Sequence, residues 1–203
     1  MTLYIIILTA LISISAFSNQ NVMGKMLFNP YQIAKKNEWY RFVSNGFIHA
    51  DWLHLIINMF VLYSFGTQVE YTYKEVFGNM STFYFIMLYL GGLIIAVAPT
   101  YKKNKDNPYY NSLGASGAVS GITFSYILFF PWQKIYLYAV IGIPAVLAGV
   151  AYLIYSQYMN KKGGDNVNHD AHFWGAVYGF VFTLALKPSL FTYFFQQLLN
   201  PQF

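Results

Sequence analysis

The chain of 203 residues has no cysteine and little charge, with 12 Lys or Arg and 7 Asp or Glu making up 9% of it. An ordinary soluble domain carries about 25% charged residues, so this chain has too few to clothe a surface in water. The missing cysteines exclude disulfides and thiolate metal sites. Acidic residues are the scarcer kind, which leaves a net charge of +5, but the cations are scattered over connections. Lys25, Lys35, Lys36 and Arg41 fall in the first connection, Lys102, Lys103 and Lys105 in the third, and Lys161 and Lys162 in the fifth. Dispersed loop cations read as solvated ends, so no nucleic-acid partner is expected.

Apolar residues are what the chain has in excess: 57% are hydrophobic and 21% aromatic. Crossing a hydrocarbon core of about 30 Å takes about 20 such residues, and six runs come near that length: about 2–19, 50–68, 80–99, 114–131, 134–156 and 171–187. They fill most of the sequence, so we expect one all-α membrane domain over residues 1–203, a six-helix bundle seated in a lipid bilayer. The first run lacks a basic flank and a small-residue cleavage site, and reads as a retained helix. Pro99 and Pro108 bracket a polar connection, 101–111; Pro131 ends the fourth run, and Pro144 sits inside the fifth, where a kink is expected. The first connection, about 20–47, is long and rich in aromatic residues, which suits a loop lying in the membrane interface.

Parity then organises the polar residues. Runs two, four and six point the same way, and each begins with groups that are costly in lipid: His49, His54 and Asn58; Ser116; His172. An out-and-back crossing returns the chain to one side, so these groups are expected at similar depth. His54 and Asn58 are four apart and share a helix face. His172, Gly175 and Gly179 form one stripe and Gly117 and Gly121 another, so the two helices can approach closely and carry the imidazole to the Ser116 hydroxyl. A serine hydroxyl is a weak nucleophile until a neutral imidazole accepts its proton. The helix start at Ser116 offers unpaired N–H groups, and with His54 and Asn58 these could hold an oxyanion. No His-Glu-x-x-His pattern is present, and neither a metal nor a cofactor is expected.

Three ordered elements carry a resemblance: His49-Ala50-Asp51-Trp52-Leu53-His54 with Asn58, Gly114-Ala115-Ser116-Gly117, and Ala171-His172 with Gly175 and Gly179. Together with Trp39 and Arg41 in the first connection, they resemble the rhomboid intramembrane serine proteases over roughly residues 1–187. The resemblance implies that Ser116 is the nucleophile and His172 the base of a dyad. His54, Asn58 and the Ser116 N–H would support the oxyanion, and transmembrane proteins would be the substrates. His49 would tie the first connection to the second helix, Glu70 would be structural, and Trp39 and Arg41 would anchor the loop. Asp51 and Asp170 read as helix caps or solvated ends. Where rhomboids commonly carry an aromatic residue four positions after the nucleophile, for the histidine to stack on, this chain has Ser120, expected to hydrogen-bond His172 instead.

Orientation is drawn from the family: termini in the cytoplasm of a cell membrane, site on the opposite side. The positive-inside rule points the other way, since nine of the twelve Lys and Arg lie on connections one, three and five, against Lys74, Lys134 and Lys187. The competing functions are a catalytically impaired rhomboid-like binder of membrane proteins and a small transporter, which has no use for a glycine-flanked serine facing a histidine.

Overall fold

A computed structural model describes residues 1–137 and 140–201. It is mostly helical: α1 Thr2–Ser18, α2 Gln20–Met26, α3 Pro30–Lys36, α4 Arg41–Ser44, α5 Trp52–Phe77, α6 Ser81–Asn104, α7 Ser116–Phe129, α8 Ala145–Lys162, α9 His169–Leu186 and α10 Ser189–Leu199. A two-stranded hairpin, β1 Lys134–Leu137 and β2 Ile141–Pro144, precedes α8.

The packing keeps an apolar core but departs from a soluble protein's in two respects. Polar Thr9, Ser13, Asn58, Ser125 and Thr183 are buried, while Leu11, Phe60, Leu147 and Ile154 stand outward, Ile154 at 66% exposure. Buried polar groups need partners: Tyr73, Ser125 and Thr183 close a hydrogen-bonded triangle joining α5, α7 and α9, with the Tyr73 and Thr183 oxygens 2.8 Å apart. An outward apolar surface of this extent suits lipid rather than water. By length and composition the continuous helical stretch Trp52–Asn104 can cross a membrane, and so can the pair His169–Leu186 and Ser189–Leu199, taken together across a 116° bend. Thr2–Ser18 and Ser116–Phe129 are shorter apolar helices. Gly78, at φ 53°, breaks the long stretch into the hairpin of α5 and α6.

Several expected boundaries are corrected. Pro99 does not end its helix: α6 runs through it to Asn104, with Lys102 and Lys103 in the last turn, where cations suit the carbonyl end. The second helix continues past residue 68 to Phe77. The fifth helix does not begin near 134, because residues on either side of 138–139 pair as strands, Ile135 opposite Ile143 and Tyr136 opposite Gly142; residues 138–139 of that expected span lie outside the described residues. Pro144 accordingly does not kink a helix. It sits at the N-cap of α8, where its fixed φ and missing N–H do no harm, and the next two N–H groups donate to Gln133 and Pro131 carbonyls at 2.9 and 2.8 Å.

The first connection folds into α2, α3 and α4. Asn29 caps α3 and Pro30 occupies its first position. Arg41, 6% exposed, pairs with Glu38 at 2.6 Å and donates to the Gly24 and Leu27 carbonyls, which pins the connection to itself. Trp39 is half-exposed and stacks on Phe42. Glu70 accepts the Thr2 N–H at 2.8 Å and also contacts the Met1 nitrogen, closing the first turn of α1.

Candidate active site

α7 is the central helix, with twelve of its fourteen residues buried. Its partner is α9, and glycines set their separation. A Cβ on Gly175 would strike the Gly117 carbonyl, and one on Gly179 would overlap the Gly121 backbone. Two backbones in direct contact fix the side chains at the head of the seam, and there His172 Nε2 lies 2.8 Å from Ser116 Oγ.

The segment before Ser116 is held from two directions. The Gly114 N–H donates to the Asn45 carbonyl at 2.9 Å, and the Ala115 N–H donates to His49 Nε2 at 3.3 Å. Because Nε2 accepts, we assign the ring proton to Nδ1, which donates to Ser13 Oγ at 2.9 Å; that hydroxyl donates on to the Phe47 carbonyl, also at 2.9 Å. A neutral, fully buried His49 therefore joins α1, the first connection and the residue before Ser116. Burial, followed by the neighbouring His54, lowers its pKa from 6.5 to about 3, against a smaller opposing pull from Asp51. Gly114 sits at φ +115°, and a Cβ there would lie 2.8 Å from the His54 ring, so only glycine fits.

His54 and Asn58 line the same cavity as Ser116 and His172, a space of about 970 Å³ that continues between α5 and α8 past Val61, Phe65 and Gly149. Asp51 caps α5 by accepting the His54 N–H at 2.8 Å, while His54 Nδ1 accepts weakly from the Ala50 N–H at 3.4 Å. That leaves the ring proton on Nε2, beside Gly114. Asn58 donates one amide proton to the His54 carbonyl at 2.9 Å and has a second to offer. Among the described residues no side chain caps the first turn of α7, so its N–H groups remain available at the cavity. Asp170 accepts from Asn160 at 2.6 Å and stands apart from the pair.

Ser120 does not bond to His172, which corrects the expected contact. Its hydroxyl meets Tyr152 Oη at 2.5 Å, and the Tyr152 ring stacks on His172 with centroids 6.1 Å apart and planes at 20°. The aromatic partner of the histidine thus comes from α8. His169 also meets the His172 ring, edge-on at 5.7 Å, and pairs with Asp165 at 3.0 Å. Neither Tyr152 nor His169 stood out in the sequence. Tyr152 is one of 19 tyrosines, and only the placement of α8 distinguishes it.

A mostly helical, outwardly apolar protein that pairs a serine with a histidine at a glycine seam defines a class, and sequence comparison names it. The Rhomboid domain family matches residues 36–189, and the chain belongs to that family. It is 35% identical over 162 residues to Rhomboid-like protein 11, chloroplastic, of Arabidopsis thaliana, covering 73% of this chain and 53% of that one. To RHOMBOID-like protein 12, mitochondrial, of the same plant it is 28% identical, covering 79% of this chain and 50% of that one. To YdcA of Bacillus subtilis (strain 168), provisionally named a rhomboid protease, it is 26% identical, covering 71% and 65%. The chain spans about half the length of the two plant relatives.

Proposed function

We propose that this chain is an intramembrane serine endopeptidase that cuts transmembrane or membrane-anchored proteins. The observation that carries the reading is the 2.8 Å contact between Ser116 Oγ and His172 Nε2 at the mouth of a cavity that also holds His54 and Asn58. Ser116 Oγ attacks the scissile carbonyl carbon while its proton passes to His172 Nε2. The oxyanion receives N–H donors from Ser116, His54 Nε2 and Asn58. Collapse expels the amine, which takes the proton from His172, and water then releases the acyl group by the same route.

In this reading α1, α5, α6, α7, α8 and α9 cross a cell membrane, with the termini in the cytoplasm and the cavity opening opposite. Substrate enters sideways from lipid between α5 and α8, because the cavity follows that seam. A substrate helix that unwinds readily is preferred, since an intact helix hides its scissile carbonyl in its own hydrogen bonds.

Mass mapping tests the nucleophile. A fluorophosphonate should form one adduct, on Ser116, that is lost in Ser116→Ala and in His172→Ala; an adduct elsewhere, or one indifferent to His172, removes the dyad. The chain has no cysteine, so cysteines introduced at Val61 and Ala148 can be bridged by a bifunctional thiol reagent. The bridge should stop cleavage of a transmembrane substrate while the small probe still labels; undiminished cleavage would remove lateral access.

A further inference from the structure

We propose that Tyr152 is the positioning residue for His172, an assignment that rests on the serine-protease reading and adds a dependence of the base on α8. Among the described residues, Ser116 is the one hydrogen-bond partner of the His172 ring. No carboxylate among the described residues bonds to it, so one hydrogen bond at Nε2 would leave the ring free to swing about that contact. Stacking by Tyr152 removes that freedom. Its ring lies nearly parallel to the imidazole, at 20° and 6.1 Å, within the range in which aromatic pairs attract.

Tyr152 is itself fixed at both ends. Its backbone belongs to α8, and its hydroxyl meets Ser120 at 2.5 Å, one helical turn beyond Ser116 on α7. Nucleophile, base and platform therefore come from three helices, and a single phenol ties the third to the first. His169 also touches the imidazole, edge-on at 5.7 Å. Since α8 also borders the cavity, any displacement of α8 that widens the cavity withdraws the platform. The base is then aligned only when α8 is docked.

The test is the rate at which a fluorophosphonate labels Ser116, because so small a probe reports activation of the hydroxyl without requiring a substrate helix to enter. Tyr152→Phe keeps the ring and loses the link to Ser120, and should label roughly 3-fold more slowly. Tyr152→Leu fills space without a platform and should fall roughly 10-fold or more, in protein that still unfolds in a cooperative thermal transition. Moving the ring to the other helix, as Ser120→Tyr with Tyr152→Ser, should restore labelling well above that of Tyr152→Ser alone. Wild-type labelling rates in folded Tyr152→Leu would overturn the proposal. If Tyr152→Leu does not fold, equal rates in Tyr152→Ser and the transposed pair would do so. Failure of the serine-protease reading looks different: the unaltered protein itself would show no labelling that depends on Ser116.

Discussion

α7 and α8 border the same cavity and are built in opposite ways. Twelve of the fourteen residues of α7 are buried, against three of the eighteen of α8, Ala145, Gly149 and Ser156. α7 meets α9 backbone to backbone, where added atoms have nowhere to go; α8 meets α7 through side chains. Gly149 illustrates this, since a Cβ there would meet the tip of Ile127 at 2.8 Å and the edge of Phe124 at 3.4 Å. Under the proposed function, the difference teaches how one site can be both accurate and accessible. Ser116 and His172 are set on the closely packed seam, while the more exposed α8 flanks the cavity and supplies the ring that stacks on His172.

Substitution at the seam should do the greatest damage. Gly179→Val forces the α9 backbone off α7, and activity should fall by more than about 10²-fold, since displacement of a reacting pair by about 1 Å suffices for that. Retained activity would show that the glycine contact does not set the separation of Ser116 and His172. His54→Ala and Asn58→Ala come next, each lowering kcat by about 10² to 10³ with little change in KM, because oxyanion contacts form mainly in the transition state. If kcat survives in either, that residue joins helices and does no more. Gly149→Ala makes a comparable addition on the loose side and should change activity only a few-fold, since flexible side-chain ends can move aside. An effect as large as that of Gly179→Val would erase the contrast.

A further expected effect falls on stability rather than on activity, and it depends on pH. His49 is neutral in the fold down to about pH 3 and titrates near 6.5 when unfolded. Between those values the unfolded chain binds the extra proton, so stability is complete above about 6.5 and is lost as pH falls toward 3, by at most about 1.4 kcal/mol per pH unit. His49→Gln keeps an acceptor for the Ala115 N–H and does not titrate. Thermal midpoints of the two proteins should therefore converge on acidification from pH 7 to 4; a constant gap would show that His49 is not held neutral.

The helices that carry the site were legible as apolar runs, and parity correctly placed the starts of α5, α7 and α9 together. The glycine stripes were legible because small-xxx-small spacing has one physical use between helices. The hairpin at 134–144 was hidden because hydropathy alone does not separate a strand from a helix in a short apolar run. Pro144 was the available signal, as proline marks a helix start more often than a helix interior. In the first connection, Asn29-Pro30 was a start signal of the same kind, masked by reading the stretch for hydropathy. The stacking of Tyr152 on His172 was beyond the sequence, since it depends on the rotation and depth of α8.

The account stands or falls on whether Ser116 breaks peptide bonds. Purified protein in liposomes should cleave a generic transmembrane substrate at a single region near one membrane face, and Ser116→Ala, equally folded, should leave the substrate intact. Cleavage that persists in Ser116→Ala would contradict it, as would an unaltered protein that binds such substrates and cuts none.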